Sequence, residues 1–452
     1  MKRILLIMFF LPVSWAQAQI ISYADGAVLF SGEDNYGTAR FMGMSGAFGA
    51  LGGDMSAVDI NPAGLGVFNA TSFSGTLSFN NMKNSSSFYG EGIGNKDDNF
   101  NFSQIGAATV FYTNNTNGFQ KVVLGFNYGL VRDFDNSFFV TGNSNAPDFL
   151  DDPFLNFDDN PFNDIYYVNV DQQNFKNYTY GSNNRFSFSI ASQYNDNLYL
   201  GMSFNSHQLD FYQRAEFSEF NNDGSGNTLD AYLDQYLDVY GFGFNFSLGA
   251  IFKPMESVRL GVAYKSPTWY DLSERFTEDL EIYPSNTTDV YSEYGSPNYF
   301  DYSMNTPSEF TGSAAYIFSK FGLISFDYIY RDYQNTYLKP SGDFIEDNGY
   351  IDQNLKGTSS FRLGTEWIVS NLSFRGGYRF VQSPYQNSFV NEDYSGYSLG
   401  MGIKFGRSLV LDFAYDSYSR SYAYRFLNIE GVDPAVIDED IYRITSSLVF
   451  TF

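Results

Sequence analysis

Tyr240-Gly241-Phe242-Gly243-Phe244-Asn245-Phe246-Ser247-Leu248-Gly249-Ala250-Ile251-Phe252 decides the fold class. Every even position is apolar and most are large, while the odd positions before Ile251 are Gly, Asn or Ser. Side chains on a strand alternate between its two faces, so a period of two marks a half-buried strand. One bulky apolar face against one small polar face is the pattern of a membrane-spanning barrel wall, with lipid outside and a polar lumen inside. The same alternation recurs at Leu198/Leu200/Met202/Phe204, Ile324/Phe326/Tyr328/Tyr330 and Leu409/Leu411/Phe413/Tyr415. A large soluble β-sandwich or propeller also alternates, so the connections must decide.

Fourteen such segments are expected: 71–80, 102–113, 119–132, 183–194, 197–213, 239–252, 257–266, 306–318, 320–333, 359–369, 371–381, 396–405, 407–419 and 440–452. Short links (Asn114–Gly118, Asp196, Lys253–Ser257, Ser319, Ser370, Gly406) alternate with long ones (81–101, 143–182, 214–238, 267–305, 334–358, 382–395, 420–439). An even number of antiparallel strands with short turns at one end and long loops at the other is the layout of outer-membrane barrels. It places both termini in the periplasm. A sandwich or propeller has no reason to alternate its loop lengths. The expected fold class is therefore all-β, a transmembrane antiparallel barrel.

The ends of the chain agree. Lys2 and Arg3, the apolar run Ile4–Val13 and Ala16-Gln17-Ala18 form a signal peptide, with cleavage between Ala18 and Gln19. The apolar run falls short of the ~20 residues that span a bilayer as a helix. The final strand alternates through Tyr442, Ile444, Ser446, Leu448 and Phe450 and closes on Phe452, like the C-terminal signal read by barrel-assembly machinery. The outer membrane of a Gram-negative bacterium is the expected location.

Composition excludes several functions. With no cysteine there is no disulfide framework and no thiolate chemistry. The formal charge is −25, or −27 once Lys2 and Arg3 leave with the signal peptide, and the excess is concentrated in the long loops. Segment 143–182 carries seven Asp against Lys176, and 267–305 eight acids against Arg275. Phosphate backbones need cationic surface, so nucleic acid is excluded as a partner. Asp151, Asp152, Asp158, Asp159 and Asp164 lack EF-hand spacing and read as a solvated loop, so no metal or other cofactor is expected. An acidic rim could also hold divalent cations that bridge lipopolysaccharide.

Residues 19–70 do not alternate. They are rich in Gly, Ala and Met, with Asp54 placed to cap a turn over Met55–Asp59, and Asn61-Pro62 forming an N-cap followed by proline at the first helical position. Small helices and tight turns of this size suit a plug inside the lumen; a periplasmic linker is the plainer alternative. Arg40 among small residues, Ala47–Ala50, Asp54–Asp59 and Asn61-Pro62-Ala63-Gly64-Leu65 resemble the N-terminal hatch of the FadL/TodX family of outer-membrane transporters. The quotable similarity covers residues 36–80, and the Tyr- and Asn-rich chain resembles Bacteroidetes-type members. The resemblance implies passive uptake of hydrophobic molecules such as long-chain fatty acids or aromatic compounds. It implies capture near the extracellular loops, an apolar pocket in the upper barrel, and release sideways after the hatch shifts. A general porin or a surface-binding barrel (adhesin or receptor) is the alternative, with an outer-membrane lipase or protease behind both.

By strand parity Arg185, Arg259, Arg362, Arg375, Arg379 and Arg443 face the lumen, as do Glu366, Asp327, Asp412 and Asp416. Arg362, Arg375 and Arg379, on one hairpin, are candidates for holding a ligand carboxylate by paired charge-assisted bonds. Their competing role is to pair with lumenal acids or with the plug. Asn61, Pro62, Ala63 and Gly64 are the candidate hatch hinge, with a purely structural turn as the competing role. The single histidine, His207, shares lumenal parity with Asn205 and Ser203 but lacks a nucleophile motif, so no catalytic residue is expected. The expected partners are hydrophobic small molecules, outer-membrane lipids including lipopolysaccharide, and the assembly machinery; the expected state is a monomer.

Overall fold

In the computed structural model, which describes residues 20–113, 117–151, 153–154 and 165–452, the 240–252 run is one stave of a closed wall. The strands are β1 (Ser72–Phe88), β2 (Glu91–Tyr112), β3 (Phe119–Asp133), β4 (Asn136–Gly142), β5 (Asn169–Tyr194), β6 (Leu198–Asn222), β7 (Thr228–Met255), β8 (Val258–Lys265), β9 (Trp269–Pro284) and β10 (Tyr291–Tyr294). They continue as β11 (Asn298–Asn305), β12 (Glu309–Ile317), β13 (Gly322–Asp332), β14 (Tyr337–Lys339), β15 (Gly357–Val369), β16 (Leu372–Val381), β17 (Tyr394–Phe405), β18 (Leu409–Tyr424) and β19 (Ala435–Thr451). All neighbours pair antiparallel, and β1 closes the barrel on β19 from Ser72↔Thr451 to Ser87↔Val436. Fourteen strands make the wall and five are extra (β4, β9, β10, β11 and β14), so every expected strand is present.

The long connections are built differently from the expectation. Several are the same staves continued beyond the apolar band. Segment 81–101 is a hairpin turning at Tyr89-Gly90, and 267–305 contains β9, β10 and β11, with the upper part of β7 paired to β9 from Leu229 to Phe244. The physical reason is an inversion of polarity along each stave. On β7 the even residues point out: Tyr240, Phe242, Phe244, Leu248 and Phe252 are exposed, and over about 30 Å they form an apolar belt. The inward residues at this height are polar or small, with Asn245 and Ser247 buried. Higher up, the inward parity carries Leu229, Ala231, Leu233, Leu237 and Val239, all buried, while Asp230, Asp234 and Asp238 face out. The upper wall is thus patterned like a soluble barrel, and a search for a large apolar outer face misses it.

The upper lumen is filled by two apolar clusters. One gathers Phe138, Tyr167, Phe175, Phe217, Phe426 and Ile437. Below it, Leu209, Phe211, Leu237, Tyr270, Tyr302 and Phe344 surround a helix from the N-terminal segment. That segment runs down the lumen as α1 (Tyr23–Ser31), α2 (Ala39–Met42) and two 3-10 turns, Ser56–Asp59 and Pro62–Val67, before β1 begins. Ile20 and Ile21 sit high in the lumen, where their N–H groups donate to Gln235 Oε1 (3.2 Å) and Gln213 Oε1 (2.9 Å). The signal peptide, with Ala18 and Gln19, lies outside the described residues, as do part of the Asn114–Gly118 turn and Asp152, Asp158, Asp159 and Asp164.

Candidate functional site

The lowest turn of the N-terminal segment contains Asn61–Gly64. Asn61 adopts an extended backbone (φ −143°, ψ 106°), its Oδ1 accepts from Ala63 N–H at 3.1 Å, and Pro62 opens the 3-10 turn. Its Nδ2 donates to Gly49 O (2.7 Å), Ala250 O (3.2 Å) and Val262 O (3.4 Å), tying the turn to a second hatch loop and to two staves. The wall receives it on inward glycines. A Cβ on Gly201 would stand 2.4 Å from the Pro62 carbonyl, and one on Gly249 would stand 1.9 Å from Asn61 Oδ1. Leu65 lies against Gly125, fully buried among Met55, Val58, Val123 and Ala191. The same fit recurs at Gly400, which faces Gly43, and at Gly364 and Gly377, which face Met44.

Ion pairs fix the middle of the segment. Arg40 Nε and Nη2 hold Glu366 at 3.1 and 2.7 Å. Glu33 faces Lys265 (3.0 Å), Arg331 (3.5 Å) and Arg185 (3.6 Å), and Arg185 also holds Asp59 at 2.8 Å. The arginines singled out from the sequence share this lumen. Arg375 bridges Glu366 (2.7 Å) and Asp412 (2.6 Å), and Arg379 holds Asp416. Arg362 donates to Gly46 O at 3.5 Å, and its Nε has no partner among the described residues. His207 is buried, with Nδ1 at Asn183 Oδ1 (3.3 Å) and Nε2 at Asn245 Nδ2 (3.0 Å).

One side of the wall is not closed by backbone. β2 and β3 pair from Tyr112↔Lys121 to Gln104↔Gly129 and then part. Above that point, among the described residues, β2 pairs only with β1, while the rest of β3 and all of β4 pair only with β5. The slit starts beside Phe100 and Phe102, which are exposed opposite Leu77 and Phe79, so it begins within the apolar belt. Side chains span it in place of a ladder. Asn99 and Asn101 Nδ2 each donate to Asp133 Oδ2 at 2.6 Å, and Ser137 N–H and Oγ–H donate to Asp97 Oδ2 at 3.0 and 2.7 Å. The break falls at Phe134-Asp135, where β4 turns inward until Asn84 of β1 donates to Ser137 O.

The slit touches the hatch directly. Val131 sits at a register shift in β3, and its carbonyl accepts from Asp34 N–H at 2.9 Å. Arg132 Nη1 donates to Leu29 O (3.0 Å) near the C-terminal end of α1, where the helix dipole favours a cation. Phe134 turns inward onto Phe30 of α1 (5.9 Å between ring centroids) and Phe211 (5.3 Å). Behind the slit lies a cavity of about 340 Å³ lined by Asp34, Tyr36, Arg132, Asp133, Tyr178 and Tyr418, among others. The slit was not singled out from the sequence. Its only trace there is Arg132-Asp133-Phe134-Asp135-Asn136, which breaks the alternation of a stave.

Above the chamber, buried Glu219 accepts from Asp148 and Phe149 N–H, Gln173 Nε2 and Asn221 Nδ2, and so pins an upper loop. Burial, and then the neighbouring Glu219 charge, push the Asp148 carboxyl up to about 7.

The class these features define is a hatch-filled β-barrel with one interrupted side wall. No protein-family model matches the chain, and no curated protein matches it. Solved structures do. A Pseudomonas aeruginosa FadL homologue superposes with a TM-score of 0.58 at 13% identity, covering 93% of this chain and 99% of that one. The toluene transporter TodX of P. putida gives 0.56 at 13% identity over 93% and 99%, and the monoaromatic hydrocarbon channel CymD gives 0.54 at 15% over 92% and 98%. The chain has the fold of the FadL- and TodX-type transporters, as the resemblance of residues 36–80 implied.

Proposed function

We propose that the protein is an outer-membrane channel for passive uptake of hydrophobic molecules, long-chain fatty acids or aromatic compounds, and that they leave sideways through the β2–β3 slit. The observation that carries this is the β2–β3 ladder ending inside the apolar belt, above a lumen filled by the hatch. Lipopolysaccharide resists apolar solutes, and a water-filled pore offers them nothing; an apolar upper lumen and a lateral outlet answer both needs. A ligand entering between the upper loops meets the aromatic cluster around α1. Displacing α1 removes the contacts that Leu29 and Phe30 make with Arg132 and Phe134, the residues at the break in β3. Capture and opening are thereby coupled. The Asn61–Gly64 turn is the fixed foot about which the upper hatch moves. Arg362, whose Nε has no partner among the described residues, is the best placed of Arg362, Arg375 and Arg379 to meet a polar head, because Arg375 and Arg379 already hold carboxylates. In this reading residues 1–18 are the cleaved signal, the long hairpins are extracellular, and the barrel inserts as a monomer through its C-terminal strand.

The test is an Asn101→Cys/Asp133→Cys variant in vesicles with a lipopolysaccharide leaflet. Oxidised, it should take up toluene or a fluorescent fatty acid at least tenfold more slowly than the same protein reduced. Equal rates in the two states would remove the lateral route. A large steady conductance in planar bilayers, already present with the hatch intact, would instead make the protein a general porin.

A further inference from the structure

The cavity behind the slit is not lined as a hydrocarbon path would be. Five carboxylates border it (Asp34, Asp97, Asp98, Asp133 and Asp135), against Arg132, Arg420 and Arg443. The balance at the cavity is negative: Lys96 offsets Asp98 and Glu439 offsets Arg420, which leaves four carboxylates against Arg132 and Arg443. Arg420 is paired with Glu439, and Arg132 is bonded to Leu29 O. Arg443 donates to Asn80 Oδ1 and Asn35 O and lies 3.7 Å from the Tyr36 ring centroid. Asp97, Asp133 and Asp135 receive only neutral donors among the described residues: Ser137 and the Asn95 amide on Asp97, the amides of Asn80, Asn99 and Asn101 with Asp135 N–H on Asp133, and Gly181 N–H with the Asn99 amide on Asp135. Two buried side-chain atoms beside the slit have no partner among the described residues, Asn99 Oδ1 and Asn84 Oδ1, and both are acceptors. Tyr178 and Tyr180 supply aromatic rings, while Tyr36 and Tyr418 already carry Arg443 and Arg379 over their faces.

Negative charge, surplus acceptors and aromatic rings recognise one kind of ligand. We propose that the side opening selects amphiphiles whose polar group is neutral or cationic and donates hydrogen bonds (an alcohol, a phenol or an amine) and that it discriminates against carboxylates. This inference rests on the slit being the outlet, and it narrows the substrate class named above. A neutral O–H donates to a free carboxylate lone pair or to an unpartnered amide oxygen. An ammonium does so with added attraction, and rings favour cations over their faces. A carboxylate brings a like charge and no donor.

The test uses one carbon skeleton with three heads: 3-phenylpropan-1-ol, 3-phenylpropylamine and 3-phenylpropanoate. Their affinities are measured by calorimetry at pH 7 on the full mature chain in nanodiscs, with empty nanodiscs subtracted. The alcohol and the amine should bind at least tenfold more tightly than the carboxylate. Raising NaCl from 0.05 to 0.5 M should shrink the advantage of the amine over the alcohol, a readout that needs no variant. The Asp97→Asn/Asp135→Asn variant should gain at least threefold for the carboxylate. Carboxylate binding as tight as that of the alcohol, or an amine advantage indifferent to salt, overturns the selectivity. A flat preference with uptake that the cysteine pair still locks removes only this inference. A preserved preference with unlockable uptake removes the lateral route.

Discussion

Replacing Asn61 by alanine tests whether the lower hatch is a fixed foot. The side chain is buried, its Oδ1 caps the 3-10 turn through Ala63 N–H, and its Nδ2 is the donor held by Gly49 O at 2.7 Å. Loss of a cap costs about 1 kcal/mol. Leaving Gly49 O without its donor costs a further ~1–3 kcal/mol. The docked hatch should lose about 2–4 kcal/mol, which at ~1.4 kcal/mol per decade is on the order of 30- to 1000-fold in the docking equilibrium. Amide hydrogen exchange in nanodiscs reads this directly: protection of segment 49–67 should fall by that factor while β5 and β6 keep theirs. Asn61→Asp retains an acceptor for Ala63 but cannot donate, so it should be at least as damaging. Protection of 49–67 within threefold of the parent protein in both variants would refute the reasoning and leave shape alone holding the hatch.

Glycine packing makes a paired prediction. Gly249→Ala forces a Cβ against Asn61 and should reproduce the Asn61→Ala exchange pattern, whereas Gly312→Ala meets nothing within 4 Å and should leave it unchanged. The polarity inversion on β7 predicts that Phe242→Lys, in the apolar belt, lowers barrel stability by about 2–4 kcal/mol in refolding titrations, while Tyr232→Lys on the same outward face costs under about 0.5 kcal/mol. The Asp148 carboxyl is raised to about 7 in the folded state, so that state binds the extra proton. Upper-loop order should therefore strengthen as pH falls from 8 toward 5 and weaken as it rises through 7; exchange of segment 143–151 at the two pH values checks this, and Asp148→Asn should flatten the difference.

Much of this architecture was readable because the lipid-facing half of each stave obeys one rule. The belt on β7, the fourteen strands and the Asn61-Pro62 cap all follow from period, proline and N-cap chemistry. Strand ends placed at 266 and 306 fall at real breaks in the wall, where Pro267 and Pro307 interrupt the ladder. The upper staves were hidden because their outward residues are Asp, Tyr and Thr while their apolar face points inward. The N-terminal hatch was legible as a compact segment, but not α1, whose apolar residues have no helical stripe of their own and are ordered by the aromatic chamber around them. The slit was least visible. A stave that loses one neighbour keeps its own alternation, and what replaces the ladder is a set of long-range contacts between Asn99, Asn101 and Asp133 that no local pattern encodes.

The inward glycines carry a consequence for how such a chain can change. Where Gly201, Gly249, Gly364 and Gly377 touch hatch backbone, wall and hatch meet with no side chain between them to adjust. Neither can drift alone, since a methyl group on one side needs a matching retreat on the other. A chimera carrying the first seventy residues of another hatch-filled barrel should fit only if its new host has glycine at the same contact points. The two parts are inherited as a matched pair, like a casting and its mould.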